Sequence, residues 1–332
     1  MRQTCLYCRT PRYGQQECKM DLQAYRNVDG VWVNKTFHDD ILRSAINYKP
    51  HPGDIFVASY PKCGTTWTQF LVLSILNRGE TPKTVVDFML ASPFLELMGT
   101  EAAEKMVRPG PIKTHLPFHK VHFSSEAKYI YATRNPYDVC VSFYYQVVGF
   151  TPKCVEDVSF GRFHELFISG RLNFGDYFDH LLSWYEHRDL PNILCFTYED
   201  MKKDTTSWTL KVADFLGEQY GSELRKDPAL LHKVVSASSK ENVNQISSGV
   251  RALLQNFSSF PPEKAIKSLE VQGKFAAELP EMHEQKPFFR KGVVGDWKNH
   301  FTPDQIEKTK AWISEKTRGS DVMQLWKNCD LP

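Results

Sequence analysis

Short apolar runs alternate along the chain with longer stretches whose apolar residues recur at helical spacing. Asp54–Tyr60, DIFVASY, is brief, apolar and partly β-branched, which predicts a buried strand. From Thr65 the sequence TTWTQFLVLSILN carries apolar residues on a helical period and stops near Asn77-Arg78-Gly79. The same grammar returns at Ala127–Thr133, AKYIYAT, a predicted strand, which turns through Arg134-Asn135-Pro136-Tyr137-Asp138 into the predicted helix VCVSFYYQVV. Pro136 suits the first turn of that helix, where a missing N–H costs nothing. A further strand is predicted at Ile193–Tyr198, between the amphipathic FGDYFDHLLSWYEHRDL and a helix at about Thr206–Leu216. Strands alternating with helices predict an α/β fold, a single domain with a central, mainly parallel sheet flanked by helices. Ligands of such sheets bind beyond the carboxyl ends of the strands, where the loop at 60–67 and the turn at 134–138 both fall.

Composition adds constraints. Of 332 residues, 42% are hydrophobic, enough for an extensive core, and 41 basic against 39 acidic residues give a formal charge of +2. That balance argues against a protein that coats nucleic acid or an anionic membrane, so any basic site must be local. MRQTCLYCRTPRYGQQECKM lacks the apolar stretch of a secretory signal, and no later run is long enough to span a bilayer, so the expected address is cytoplasmic. No Gly/Ser or Pro-rich linker divides the chain: a flexible tail over residues 1–20 and one domain over 21–332 are expected. The eight cysteines are spread widely enough to be read as free thiols. Cys5 and Cys8 form a CxxC with Cys18 beyond, but a fourth metal ligand is not visible nearby.

The candidate chemistry begins at Ser59–Trp67, SYPKCGTTW. A loop between a strand and a helix N-terminus offers unpaired amides and the positive end of the helix dipole, together an anion site. Gly64 would let the backbone approach a ligand, Thr65 and Thr66 add hydroxyls, and Lys62 adds a full charge. Phosphate is the natural guest, although the lysine precedes the glycine, so the GxxxxGK[ST] pattern of nucleotide triphosphatases is absent. A plain helix cap explains the same residues. Trp67 fits as core filler or as a flat face for a nucleobase.

Further segments turn this into a resemblance. YPKCGTTW resembles the 5′-phosphosulfate loop of the cytosolic sulfotransferases, usually YPKSGTTW, and Ile112–Pro117, IKTHLP, is similar to that family's catalytic segment. YIYATRNPYDVCVSFYYQ at 129–146, FTYEDM at 196–201 and FFRKGVVGDWKNHFT at 288–302, the family's RKGxxGDW element, match in type and order. The resemblance implies 3′-phosphoadenosine 5′-phosphosulfate (PAPS) as donor, its 3′,5′-bisphosphate (PAP) as product, and no metal. It places the 5′-phosphosulfate on Lys62 and the amides from Cys63 through Gly64, Thr65 and Thr66 to Trp67, with Trp67 stacking on adenine. Arg134, Ser142 and Arg290-Lys291-Gly292 would clamp the 3′-phosphate, Tyr198 would reach the base, and Ser238 would join the nucleotide contacts. Several cations around one dianion make physical sense, since guanidinium suits phosphate through paired donors. His115 would be the general base that takes the acceptor's hydroxyl proton, and Lys62 and Lys113 would neutralise charge on the sulfuryl and leaving oxygens. Ser142 in the family also touches the loop lysine, which would restrain Lys62 until an acceptor arrives.

Rival readings meet specific obstacles. His115, His119 and His122 form HxxxHxxH, but Pro117 breaks the helix that zinc binding would need, and Lys113 repels a dication. A nucleotide-binding module or nucleoside kinase without sulfuryl transfer lacks its GK[ST] and would not need a base between Lys113 and Pro117. Three departures from the family pattern stand out. Cys63 replaces the usual serine, and a thiol beside a lysine and a helix N-terminus is expected to have a lowered pKa and hence to be open to oxidation. Ser239 stands where a phenylalanine usually covers adenine. The family's dimerisation motif KxxxTVxxxE reads KNHFTPDQIE at Lys298–Glu307, and Pro303 in place of valine leaves the homodimer open. For the acceptor, Phe94 in SPFLE, with Lys113 and His115, would line an apolar pocket for a phenol, catecholamine or other lipophilic alcohol. YRNVDGVWVNKTFHDDILRSA is closer to arthropod-type members than to vertebrate ones, which points to phenolic amines among the acceptors.

Overall fold

A computed structural model describes residues 25–149, 159–247, 266–278 and 290–332. The expected tail and its Cys5, Cys8 and Cys18 lie outside them. A hairpin comes first: β1 (Tyr25–Val28) pairs antiparallel with β2 (Val31–Asn34). Asp29 and Gly30 turn it with φ of 50° and 88°, the left-handed pair that a two-residue hairpin loop needs. Helix α1 (Asp39–Ile46) leads to β3 (Ile55–Ala58), α2 (Thr65–Leu76), α3 (Val85–Ala91), α4 (Leu95–Lys105) and β4 (Pro111–Thr114). Then come β5 (Lys128–Thr133), α5 (Pro136–Gly149), α6 (Phe160–Ile168), α7 (Tyr177–Tyr185), β6 (Ile193–Thr197), α8 (Tyr198–Lys203) and α9 (Thr205–Leu216). Helices also occupy Glu218–Lys226, Pro228–Ala237, Lys240–Ser247, Lys267–Glu278 and Pro303–Lys316.

The main sheet has the order β4-β3-β5-β6, parallel throughout. Successive residues of its strands point to opposite faces, and both faces are covered. Ile55, Val57, Ile130 and Ala132 share one core with Leu71, Val72 and Ile75 of α2 and Val212, Ala213 and Leu216 of α9. Phe56, Ala58, Tyr129 and Tyr131 share the other with Tyr177, Leu181 and Trp184 of α7. Here the aromatics order themselves by stacking: Tyr131 lies 5.3 Å from Trp184 at 17°.

Three expectations shift. Tyr198 does not end β6 but opens α8, because the Thr197 hydroxyl accepts from the Asp200 amide at 3.0 Å and caps a helix there. The start of IKTHLP lies in a strand, β4 (Pro111–Thr114), that the sequence pattern does not announce, since Lys113 interrupts its short apolar run. Pro303 occupies the first turn of its helix behind a capping box formed by Thr302 and Gln305, so its missing N–H costs that helix nothing. Among the described residues, no helix is long and apolar enough to cross a membrane.

Candidate active site

The register brings the strand ends level. Ala58 pairs with Thr114 and with Tyr131, and Thr133 pairs with Thr197. The residues that follow the four strands, Ser59, His115, Arg134 and Tyr198, therefore emerge along one edge of the sheet.

Beyond β3 the chain makes a tight loop. Lys62 sits at φ 71°, unusual for a residue with a Cβ, at a cost of roughly 1 kcal/mol or more that the surrounding fold must hold in place. Gly64, at φ 98°, caps α2, and a Cβ there would meet the Tyr198 ring at 3.1 Å, so both its conformation and its neighbour demand glycine. Thr65 is buried, and its hydroxyl lies 2.5 Å from that of Ser59; Thr66 is buried beside it. Trp67 is half-buried and meets Tyr198 edge to face at 5.6 Å. Burial, Lys113 and Arg134 lower the Lys62 pKa to about 7, a lysine surrounded by like charge. Cys63 overturns the expectation of a lowered pKa. Only 1% of it is exposed, and burial raises the thiol far above its ordinary value despite Arg134 and Lys62, so this cysteine is packed as a neutral thiol.

The second group forms around Arg134. Its guanidinium lies 4.4 Å above the Tyr198 ring and donates to the Val293 carbonyl at 2.8 Å, while its buried Nε has no hydrogen-bond partner. Asp138 accepts from the amides of Gly295 at 2.8 Å and Trp297 at 3.1 Å, tying α5 to the RKGVVGDW segment. Asn135 bridges Asp138 and Glu199, whose other oxygen accepts from Trp326 Nε1 at 3.0 Å. Asp138, Ser142 and Tyr145, at i, i+4 and i+7, share the face of α5 that meets this segment, and Arg290 lies over the Tyr145 ring at 4.1 Å. Arg290 pairs with Asp296, as does Lys291 at 2.6 Å. Burial would raise the Asp296 pKa, but the bonds from Lys291, Arg290 and Asn299 outweigh it and hold the carboxyl well below the usual range. Gly292, at φ 68°, lies close to Tyr198 and Lys240, whose ammonium donates to the Lys291 carbonyl at 3.0 Å. Ser238 is buried two residues before Lys240, and its hydroxyl donates to Val235 O within its own helix end at 3.0 Å.

The third group is His115. Its ring Nδ1 lies 2.7 Å from the Ser59 carbonyl, and because a carbonyl can only accept, Nδ1 carries the proton and Nε2 the lone pair. Burial, Lys113 and Lys62 depress its pKa well below the ordinary value, so it is neutral at pH 7. Phe94 and Phe174 flank the imidazole at 5.1 and 5.2 Å. Lys113 Nζ lies 4.0 Å over the Phe94 ring, and burial lowers its pKa to about 8. Among the described residues, no cluster of three or more His, Cys, Asp or Glu could hold a metal.

Several residues of this region escape a reading of the sequence. Glu96 and His180 contact the backbone of His115, and Asp138 and Glu199 brace the Arg134 group. Asp138 and Glu199 stand in the quoted RNPYD and TYED, a signal that could point to them, whereas Glu96 and His180 are single polar residues in apolar surroundings and give none.

Residues 52–321 match the sulfotransferase domain family. Bovine sulfotransferase 1E1 is 30% identical over 308 residues, covering 90% of this chain and 94% of the relative. Mouse sulfotransferase 2A2 is 34% identical over 272 residues, covering 80% and 85%, and rabbit amine sulfotransferase 31% over 307, covering 90% and 93%. The crystal structure of a mouse sulfotransferase complexed with PAP superimposes with a TM-score of 0.64 at 28% identity, covering 92% of this chain and 99% of that one. From these matches, which run through the phosphate loop, the His115 segment and the Arg134 group alike, the chain belongs to the sulfotransferase family.

Proposed function

We propose that this protein transfers a sulfuryl group from PAPS to the hydroxyl of a small lipophilic acceptor, with His115 as general base. The observation that carries the reading is the His115 tautomer: a neutral, buried imidazole anchored through Nδ1–H, with its Nε2 lone pair available and two lysines close enough to depress its pKa. Donor binding is supported by the fit of the residues present. Cations converge on one strand edge, Arg134 keeps a buried N–H without a partner, and a neighbouring glycine keeps the loop open beneath Tyr198. The solved mouse relative is complexed with PAP. PAPS supplies an activated sulfuryl group, so the protein has to orient and neutralise rather than activate.

In this scheme the acceptor oxygen bonds to sulfur as its proton passes to His115 Nε2 and the bond from sulfur to the bridging phosphate oxygen breaks. Lys62 and Lys113 offset the charge that develops on the sulfuryl and leaving oxygens. Lys62, the loop amides from Cys63 to Trp67 and the hydroxyls of Thr65 and Thr66 hold the 5′ end of the donor; Trp67 and Tyr198 meet the base. Arg134, Ser142, Arg290, Lys291 and Gly292 take the 3′-phosphate, with Ser238 near the base. Phe94 and Phe174 line the acceptor's approach to His115. A nucleoside kinase would leave the base between Lys113 and Pro117 without a purpose. Incubation with radiolabelled PAPS and a panel of phenols, catecholamines and steroids tests the reading: labelled, acceptor-dependent product supports it, and the absence of transfer to every hydroxyl acceptor overturns it.

Lys62 adds a pH signature. The fold lowers its pKa to about 7, and a bound dianion raises it again, so nucleotide binding above pH 7 takes up a proton. PAP affinity is expected to be highest at and below pH 7 and to fall between pH 7 and 9 by up to about tenfold per pH unit. Calorimetry at pH 8 in two buffers of different ionisation enthalpy measures the uptake. Identical apparent enthalpies in both buffers would contradict this role for Lys62.

A further inference from the structure

His115 is gripped at more points than its ring. Its backbone N–H donates to Glu96 Oε1 at 2.6 Å, and its carbonyl accepts from His180 Nε2 at 3.0 Å. Glu96 stands in the first turn of α4 and His180 in α7, and neither is more than 1% exposed. Each is itself braced. Glu96 Oε1 also accepts from the Thr114 hydroxyl at 2.7 Å, and that hydroxyl accepts from the Leu116 amide at 3.1 Å. His180 Nε2 must be its protonated nitrogen, since it faces a carbonyl; Nδ1 then accepts from the Tyr131 hydroxyl at 3.1 Å.

A strand that simply ran out of the sheet could satisfy the His115 N–H and C=O with water or with neighbouring backbone. Here two buried side chains from separate helices meet the two backbone groups of this one residue, while Ser59 holds its ring. Burying a carboxyl group and an imidazole to do so is costly. Glu96 Oε2 has no hydrogen-bond partner from another residue, and burial, against the bonds from Thr114 and from the Glu96 and His115 amides, raises its pKa to about 7.

We propose that Glu96 and His180 are positioning residues for the transfer reaction, a two-sided clamp on the His115 backbone that sets where Nε2 lies relative to the acceptor. The proposal rests on His115 being the general base. A positioning residue acts only through the group it positions, and a displacement of about 1 Å at a reacting group can cost on the order of 10²-fold in rate. The clamp therefore shows itself in turnover and disappears when His115 is removed.

The test is a double-mutant cycle in the full chain. Glu96→Leu and His180→Leu are each expected to lower kcat by about 10²-fold while PAP affinity stays within about twofold. In a His115→Ala background, neither lowers the residual rate further. Glu96→Gln keeps an acceptor for both donors and His180→Gln keeps a donor for the carbonyl, so these two are expected to return kcat to within about fivefold of the parent. Should Glu96→Leu not fold, Glu96→Asp, which draws the carboxylate back by one methylene, replaces it, with kcat falling and PAP binding retained. Parental kcat in the leucine variants, losses of equal size in the His115→Ala background, or PAP affinity falling in step with kcat would each overturn the clamp. If His115→Ala itself keeps near-parental turnover, the base assignment fails and the clamp with it. If His115→Ala is inactive while the leucine variants are not, the clamp alone fails.

Discussion

His115→Ala is expected to bind PAP within about twofold of the parent and to turn over 10²–10⁴-fold more slowly, the range that general-base catalysis usually contributes. The two halves of that result separate because the proposed mechanism puts the imidazole on the acceptor side. Its Nδ1–H is committed to Ser59, and the rings against it are Phe94 and Phe174. A residual rate remains, since Lys62 and Lys113 still offset the developing charge. The pH profile sharpens the point. With a pKa depressed well below 6.5, His115 stays neutral as the medium is acidified towards pH 6, so no loss of turnover from its protonation is expected there. Initial rates with labelled donor, alongside calorimetry with PAP, measure both halves. Near-parental turnover in the variant would remove the proposed mechanism.

Arg290→Ala is expected to weaken PAP by about 30- to 150-fold, the equivalent of roughly 2–3 kcal/mol for a charge-assisted hydrogen bond, and adenosine 5′-phosphate by less than about threefold. The contrast follows from where Arg290 stands, over Tyr145 on the α5 face that also carries Ser142. Asp296 enlarges the effect. With the guanidinium gone, that carboxylate keeps Lys291 and Asn299 but presents more uncompensated negative charge to an incoming phosphate. Equal losses for the two nucleotides in calorimetry would show that Arg290 does not read the 3′-phosphate.

Much of this site could be read from residue order because its parts obey local rules. The run DIFVASY, the glycine before TTW and the proline after Arg134-Asn135 each encode a piece of strand, loop and helix, and the structure has β3, α2, β5 and α5 within a few residues of the predicted bounds. What escaped depends on tertiary context. A glutamate in SPFLELMG and a histidine in YFDHLLSWY are isolated polar residues among apolar ones, and only the fold turns them inward against His115. Cys63 failed for the same reason: proximity to a lysine and a helix N-terminus argues for a thiolate, but proximity is visible in a sequence and burial is not. The hairpin at Asp29-Gly30 carries its own local signal, a preferred turn pair followed by the alternating VWVN.

The aromatic surround of His115 draws on separate parts of the chain. Phe37 meets Phe94 at 6.0 Å and Phe174 at 5.5 Å, both edge to face. The three rings come from the connection after β2, the residue before α4 and the connection before α7, none of which carries the phosphate loop, the Arg134 turn or the RKG segment. In the proposed function, acceptor choice and donor binding are written in separate stretches of chain, with His115 and Lys113 between them. Such a layout lets a lineage, or an engineer, exchange the rings to admit a different alcohol while the nucleotide half is inherited intact.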